Sequence, residues 1–344
     1  MKVNKKHLLS IVSLSVVLFF VYINQSKQGY LASKGDEQYI NKSCKPTSRE
    51  DVWVPGGEFS IGENKGYANE RPAHNVYVDG FWIDSHEVTN QQFEEFVEET
   101  GYITVAEKIP DPSILGNAPA DMLKPGSAVF TPPSSSDSNE DWWSYLPGAY
   151  WRKPLGPKSN IIGKENYPVV HIAFEDAQAY AKWAGRLLPT EAQFEVAARS
   201  KRVNQRYAWG GDELTKNGKH LANTWQGMFP YVNQKEDGFA GIAPVSCFPA
   251  NDYGAYDLIG NVWEWTSNFY TNQHNPSDNV NPQGLSQAMY NQQYQHEFPM
   301  RVIKGGSYLC SPDYCMRYRP AARHAQDTGL GSNHIGFRTV RQVL

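Results

Sequence analysis

The chain has 344 residues, of which 40% are hydrophobic and 13% are aromatic, so it can bury a large core. Its length allows roughly one to three domains. The 32 basic and 36 acidic residues give a formal net charge of −4, and this balance argues against a nucleic-acid partner. The choice of any other partner must therefore depend on a local site.

The N-terminus has the pattern of a targeting segment. Residues 8–23 are apolar apart from three serines, and three lysines but no acidic residue precede them. This pattern predicts a signal peptide or an uncleaved signal anchor over residues 1–28, because its length lies between a signal sequence and the roughly 20 residues that span a bilayer. We expect residues 29–50 to form a polar linker and the rest of the chain to be exported. The destination would be the periplasm, with or without a membrane anchor, in a bacterium, and the secretory lumen in a eukaryote.

The globular part begins with two predicted strands, one that follows the Pro55-Gly56 turn within residues 53–62 and one over residues 75–84. A helix follows, because Thr89 and Gln92 have the pattern of a capping box and Gly101 can end the helix.

Many prolines and glycines interrupt residues 108–167. A structureless stretch of that length inside a compact domain is usually a functional loop or an insertion. Composition alone explains its aromatic part, residues 142–151, equally well as a loop that buried tryptophans hold in place.

A short buried strand is predicted over residues 167–172, and His171 within it is more simply explained as a core histidine than as a metal ligand. Two helices follow, one over residues 175–184 and one that begins after Thr190 with a second capping box. Few helical patterns occur after them. Short strands and few helices along one domain, residues 51–344, predict an irregular α+β architecture.

Two oxygen-rich clusters in the later loops have the hard ligands that Ca²⁺ prefers. The first consists of the side chains of Asn223 and Asp237 and the backbone carbonyls of Thr224 and Phe239. The second consists of the carboxylates of Asp257 and Glu264 and the carbonyls of Gly260 and Val262. Asp-Gly and Gly-Asn pairs are mostly ordinary turns, so turns without a cation remain the alternative.

Two of the four cysteines, Cys310 and Cys315, lie close together in the sequence. One turn can bring their sulfurs together, and soft thiolate ligands favour Cu(I) or zinc. A short-loop disulfide is the structural alternative in an exported protein. Zinc is disfavoured, because it needs four ligands and no second Cys/His pair has a suitable spacing. The sequence leaves open whether Cys44 pairs with Cys247.

The residues around this cysteine pair carry a more specific signal. Residues 304–319 read KGGSYLCSPDYCMRYR, and residues 335–338 read IGFR. This region resembles the active site of formylglycine-generating enzymes, copper-dependent oxidases that convert a sulfatase cysteine to Cα-formylglycine. The cysteine pair is the specific part, because the wider superfamily shares the Gly-Gly-Ser and Gly-Phe-Arg blocks but often lacks both cysteines. The resemblance covers residues 51–342 and implies a C-type-lectin-like fold with little regular secondary structure.

The resemblance implies an O₂-dependent oxidase that acts on a peptidyl cysteine. Cys310 and Cys315 would hold Cu(I) together with the sulfur of the substrate. Ser307 and Tyr308 would orient O₂ or the substrate, and Trp263 would line the pocket. The substrate would be an extended Cys-x-Pro-x-Arg segment of a sulfatase that has not yet folded.

The resemblance also bears on two other regions. Residues 142–151 would lead into the side of the protein that faces the substrate. The two oxygen-rich clusters match the two calcium sites of the family position by position, with Asp257 standing where an asparagine is also found. The implied role of calcium is structural.

Two other classes of protein remain open. A non-catalytic binding module of the same fold, stabilised by calcium and by a Cys310–Cys315 disulfide, would need no copper. An ergothioneine-pathway sulfoxide synthase would bring a histidine-rich iron site. The sequence contains no His-x3-His-x-Glu pattern, and its nine histidines are dispersed.

Overall fold

The computed structural model describes residues 44, 51–111, 119–134, 141–202, 205–211, 214–294 and 299–342. The chain divides into two units, residues 1–44 and 45–344, and every described residue except Cys44 belongs to the second. The predicted targeting segment therefore lies outside the described residues. Within the described part, no helix is both long enough and apolar enough to cross a membrane.

Regular secondary structure is sparse, and most strands are short. The strands are β1 Asp51–Val54, β2 Gly57–Ile61, β3 His74–Val78, β4 Phe81–Asp84, β5 Gly126–Phe130, β6 Trp143–Pro147, β7 Thr215–Lys216, β8 Lys219–His220, β9 Trp263–Phe269, β10 Met300–Lys304, β11 Arg323–Asp327, β12 Ile335–Gly336 and β13 Val340–Gln342. The α-helices are α1 Asn90–Thr100, α2 Phe174–Trp183, α3 Glu191–Arg199 and α4 Gln287–Gln293. Short 3-10 helices occupy Ala68–Glu70, Val105–Glu107 and Ala120–Leu123.

The larger sheets combine strands that are far apart in the chain. One sheet has the order β11-β10-β9-β12, and another has the order β1-β4-β13. The pairs β2–β3, β5–β6 and β7–β8 form separate two-stranded sheets. Neighbouring strands are antiparallel except for β12 and β9, which run parallel. This arrangement confirms the predicted irregular α+β architecture.

Two helices begin where the sequence predicts, because their caps form as expected. The Thr89 hydroxyl accepts the backbone N–H of Gln92 at 3.3 Å, and the Gln92 side chain accepts the N–H of Thr89 at 2.9 Å. Thr190 and Gln193 make the same reciprocal pair before α3, at 3.1 and 2.9 Å. Gly101 ends α1 in the left-handed conformation, with φ of 67°.

The first predicted strand is confirmed, and the second is wrong in extent. β2, Gly57–Ile61, follows Pro55 and Gly56 as expected, whereas residues 75–84 cover most of β3 and all of β4. The chain turns between β3 and β4, so that β2 pairs with β3 while β1 pairs with β4. The sequence analysis overlooked this second turn.

The strand predicted over residues 167–172 is absent. The segment is buried, but its backbone groups bond to different partners: Val169 donates to Val88, and His171 donates to Ser332, both at 2.9 Å. His171 also has φ of 62°, which is incompatible with an extended strand.

The main core gathers aromatic side chains from distant parts of the chain. Its largest fully buried members include Phe93, Phe96, Trp151, Tyr180, Phe194 and Trp265. The Trp151 ring contacts Phe93 edge-on, with centroids 5.2 Å apart. One end of the aromatic segment 142–151 is therefore fixed in the core, while Trp143 near its other end lines a cavity that also contains Cys310.

Candidate active site

The two free cysteines lie in the loop that joins β10 to β11, residues 305–322. The loop leaves β10 through Gly305 and Gly306, whose φ angles of 94° and 79° favour glycine. A Cβ on Gly306 would also lie 2.9 Å from the carbonyl oxygen of Arg317. Glycine at this position lets the two halves of the loop approach each other, with Cys310 and Cys315 between them.

Two other loops hold the cysteine loop in place. The backbone N–H of Trp225 donates to the carbonyl of Cys310 at 3.0 Å. The N–H of Tyr308 donates to the carbonyl of Asn261 at 2.9 Å. Trp225 directly follows Asn223 and Thr224 of the first oxygen-rich cluster, and Asn261 lies between members of the second. The predicted calcium loops therefore contact the cysteine loop directly.

The Sγ atoms of Cys310 and Cys315 are 2.9 Å apart, and both cysteines are free and buried. The hydrogen bond from Cys310, together with the Arg317 guanidinium 3.8 Å away, lowers the pKa of Cys315 to about 6. Burial raises the pKa of Cys310. Near neutral pH the pair therefore holds one thiolate and one thiol. Cys247 is disulfide-bonded and therefore is not a free thiol.

The cysteine pair lines a cavity of 440 Å³. Four of the five predicted active-site residues lie on its wall: Trp263, Ser307, Cys310 and Cys315. Tyr308 does not line the cavity, because its ring packs into a neighbouring aromatic cluster. That cluster contains Phe130, Trp225, Phe229, Tyr308 and Leu309.

The cavity also contains Trp143, from the segment predicted to lead into the substrate side, and three residues that the sequence analysis missed: Arg317, His324 and His334. Ser307 Oγ lies 3.1 Å from Nδ1 of His334. His324 reaches the site because β11 pairs with β10, and His334 lies just before β12. Spacing along the chain could not reveal this grouping, because it depends on strand pairing.

The structure brings the first oxygen-rich cluster together in one loop region. The carboxylate of Asp237 accepts the N–H groups of Thr224, at 3.2 Å, and Phe239, at 2.9 Å. Asn223 is buried, and its side-chain amide donates to the carbonyl of Gly241 at 2.9 Å. Burial raises the pKa of Asp237. This donor set has the oxygen chemistry that Ca²⁺ requires.

The second cluster is also assembled, with both carboxylates buried. Glu264 accepts two N–H groups of Arg338, at 2.7 and 2.8 Å. Asp257 accepts the backbone N–H of Ser246 at 2.6 Å. Gly260 lies between them with φ of 82°, and a Cβ there would meet a backbone carbonyl oxygen at 2.4 Å.

A third buried acid, Glu87, lies beside the second cluster and has no marker in the sequence. Its Oε1 accepts the side-chain N–H of Asn261 at 3.0 Å. Its Oε2 has no hydrogen-bond partner among the described residues and lies 4.0 Å from Arg338. One arginine therefore faces three buried carboxylates, which include Asp257 and Glu264. This excess of negative charge suits a bound cation.

Across the described ranges, no three side chains of His, Cys, Asp or Glu form a group that could hold a metal ion by themselves. Neither the cysteine pair nor the two oxygen-rich clusters require such a group. The cysteine pair supplies two protein ligands, and each oxygen-rich cluster relies on backbone carbonyls as well as side chains.

Comparison with known proteins identifies the family. Residues 36–343 match the family model described as "Sulfatase-modifying factor enzyme 1-like domain". The chain belongs to this family. The formylglycine-generating enzyme of Mycobacterium tuberculosis is 45% identical over 296 residues, which cover 85% of this chain and 97% of that protein. The enzyme of the same name from Mus musculus is 42% identical over 298 residues, which cover 85% of this chain and 75% of that protein.

The family also contains members named as inactive. "Inactive C-alpha-formylglycine-generating enzyme 2" of Bos taurus is 36% identical and covers 83% of this chain and 86% of that protein. The solved structure of PvdO from Pseudomonas aeruginosa has a TM-score of 0.60 at 21% identity, covering 88% of this chain and all of that chain. The predicted formylglycine-generating-enzyme fold is thereby confirmed. Activity has to be argued from the site itself.

Proposed function

We propose that this chain oxidises a peptidyl cysteine of a sulfatase to Cα-formylglycine, with Cu(I) and O₂. The identity to named formylglycine-generating enzymes supports the conversion of the sulfatase cysteine. The observation that carries the copper hypothesis is the pair of free, buried thiols 2.9 Å apart on the wall of a 440 Å³ cavity. A structural disulfide would leave no thiol for a metal.

The residues present fit Cu(I), because two soft sulfur donors converge where a third sulfur, from a substrate, can enter. Bound there, Cu(I) would supply the electron chemistry with O₂ that removes hydrogen from the substrate Cβ. Cys315 is already poised as a thiolate, and Arg317 balances its charge. Cys310 must release its proton to become the second thiolate ligand, so copper affinity should rise with pH through the thiol range.

A second cavity supports binding of the arginine in the Cys-x-Pro-x-Arg segment. This cavity, of 660 Å³, shares Leu330 with the cysteine cavity. Its charged lining residues are the acids Asp111, Glu175 and Asp327 and the bases Lys108 and Arg301. Lys108 pairs with Glu175 at 2.5 Å, which leaves two acids against one base, and this charge favours a cationic side chain. Asp111→Asn should raise KM for the motif peptide and leave KM unchanged for a peptide with alanine in place of the arginine.

The electron balance determines how the assay is built. Conversion replaces the sulfur on the Cβ by a carbonyl oxygen and releases sulfide, which oxidises the peptide by two electrons. Full reduction of O₂ takes four electrons, so two further thiols must supply the remaining two by joining as a disulfide, with sulfide and water as the other products. The reaction mixture therefore needs the copper-loaded protein, the peptide, O₂ and a small-molecule thiol.

Cysteine variants test the proposal. Cys310→Ser and Cys315→Ser each replace a soft thiolate by a hydroxyl, so each should lose tight Cu(I) binding and conversion of the peptide, measured by mass spectrometry. Ser307→Ala should keep copper, while conversion falls by about 100-fold, as is typical when one positioned hydrogen-bonding group is lost. A folded Cys310→Ser, Cys315→Ser double variant that still converts the peptide at the wild-type rate would overturn the copper hypothesis.

Two further assignments belong to this proposal. Each oxygen-rich cluster binds one Ca²⁺ ion, with a structural role, because these loops support the cysteine loop through backbone hydrogen bonds. The chain is exported and remains anchored through residues 8–23, an interpretation that depends on the apolar sequence of that segment.

A further inference from the structure

His334 lies within hydrogen-bond distance of Ser307 on the wall of the cavity. Its Nδ1 lies 3.1 Å from Ser307 Oγ, and the backbone N–H of Leu309 donates to the same oxygen at 3.3 Å. Because the Leu309 N–H can only donate, the serine hydroxyl needs a separate acceptor for its own proton. Within the described chain, Nδ1 of His334 is the acceptor at hydrogen-bond distance. The serine O–H therefore donates to Nδ1, and the histidine proton lies on Nε2.

The surroundings of His334 keep its ring fixed and uncharged. The ring packs against Trp143, with centroids 4.8 Å apart, and forms part of the cavity wall. Burial lowers the pKa of His334 to about 3, and the neighbouring His324 and His171 act in the same direction. The ring is therefore a neutral hydrogen-bond acceptor at neutral pH and too weak a base to remove a proton from a thiol.

We propose that His334 is a positioning residue that fixes the direction of the Ser307 hydroxyl in the active site. With its proton held by Nδ1, the serine turns a lone pair towards the cavity, where the thiol of an entering cysteine can donate to it. Without His334, the hydroxyl rotates among its staggered positions and can direct its proton into the cavity instead. This inference rests on the proposed function and assigns to it a residue in a distant part of the chain.

Two amide substitutions can identify which ring nitrogen matters. The Asn side chain places its amide near the position of Nδ1, whereas the Gln side chain places its amide near that of Nε2. His334→Asn should therefore keep a partner for Ser307 and retain kcat/KM within about threefold of wild type. His334→Gln and His334→Leu should both lower kcat/KM by about tenfold, the scale expected for one neutral hydrogen bond. Copper affinity should be unchanged in all three variants.

A double-mutant cycle with Ser307→Ala tests whether His334 acts through the serine. If it does, adding His334→Leu to Ser307→Ala should produce no further loss of kcat/KM. His324→Leu is the matched control, because His324 also lines the cavity but packs beside Trp263, with centroids 5.9 Å apart. The fold losses of kcat/KM caused by His324→Leu and by Ser307→Ala should multiply in the double variant, because the two residues act independently.

The outcomes separate this inference from the proposed function. Wild-type protein that fails to convert the peptide would refute the proposed function. Wild-type conversion with an unaffected His334→Leu variant, or with independent effects of His334→Leu and Ser307→Ala, would overturn the positioning role alone. Loss in His334→Asn equal to that in His334→Leu, with both proteins melting as wild type does, would also overturn it. Rescue by Asn and not by Gln, together with full coupling to Ser307, is the result that supports it.

Discussion

His171 makes the stability of this protein depend on pH in a way that can be calculated. Its Nε2 donates to the carbonyl of Pro154 at 2.8 Å, and its Nδ1 is buried without a hydrogen-bond partner in the described part of the chain. Burial lowers the pKa of His171 to about 4, from about 6.5 in an unfolded chain. Below pH 6.5 the unfolded state binds a proton that the folded state does not. The contribution of the neutral His171 imidazole to the free energy of unfolding is therefore fully present above about pH 6.5, and it is lost as the pH falls towards about 4.

The change that tests this is His171→Asn, because asparagine tolerates the φ of 62° at this position. With these two pKa values, the imidazole accounts for a loss of about 2 kcal/mol in the free energy of unfolding between pH 7.5 and pH 5. Urea unfolding of both proteins at the two pH values, at constant salt and calcium, measures this loss. The variant can be less stable at both pH values, since only the difference between them is compared.

Equal losses in wild type and variant would refute the neutral, buried imidazole. A metal-binding His171 predicts a different result. Its stability contribution would then depend on added metal and disappear with a chelator, at both pH values.

Three further predictions concern other parts of the chain. Calcium chelation should lower the melting temperature, since an ion at 100 to 1,000 times its dissociation constant stabilises the fold by about 3 to 4 kcal/mol. Asp237→Ala should reduce the change in melting temperature that the chelator causes. Calorimetry that shows equal melting with and without chelator would contradict calcium binding. Arg319→Met should lower the free energy of unfolding, measured by chemical denaturation, by roughly 3 to 5 kcal/mol. The buried Glu70 carboxylate accepts two N–H groups of Arg319, at 2.8 and 2.6 Å, and the substitution removes both. Adding Glu70→Leu should recover most of that loss, and no recovery would count against the ion-pair explanation. Finally, the full-length protein should stay in the membrane fraction after carbonate washing, whereas a soluble form that begins near Ala32 would show that residues 8–23 are cleaved.

Local signals explain which elements the sequence could predict. The caps at Thr89 and Thr190 act within three residues, so helices α1 and α3 begin where predicted. The sheet of β9, β10, β11 and β12 has no comparable signal. Six of the seven residues of β9 are buried, so the strand lacks the alternation of apolar and polar residues that marks a half-exposed strand.

The same distinction applies to the candidate active site. Cys310, Cys315 and Ser307 share one loop, and their spacing is visible in the sequence. His334 and Glu87 reach their positions only through the pairing of distant segments. Each lies beside other polar residues, Ser85-His86 before Glu87 and Ser332-Asn333 before His334, so the local sequence does not distinguish it from its neighbours as a site residue. Tyr308 shows that adjacency in the chain does not fix where a side chain packs, because it adjoins Ser307 but its ring packs in the aromatic cluster with Phe130 and Trp225.

Fold and activity are separable in this family, because members named as enzymes and members named as inactive both align with most of this chain. The structure suggests a physical reason. Buried ion pairs such as Arg338 with Glu264 join distant segments of the fold without touching the thiols. The thiols are held by packing at the main core and by backbone hydrogen bonds from neighbouring loops, including those from Trp225 to Cys310 and from Tyr308 to Asn261. A change in those loops can shift the cysteine pair while ion pairs elsewhere in the fold stay in place. Unfolding measurements will therefore report on the core and the calcium loops, and only peptide conversion together with copper binding reports on the cysteine pair.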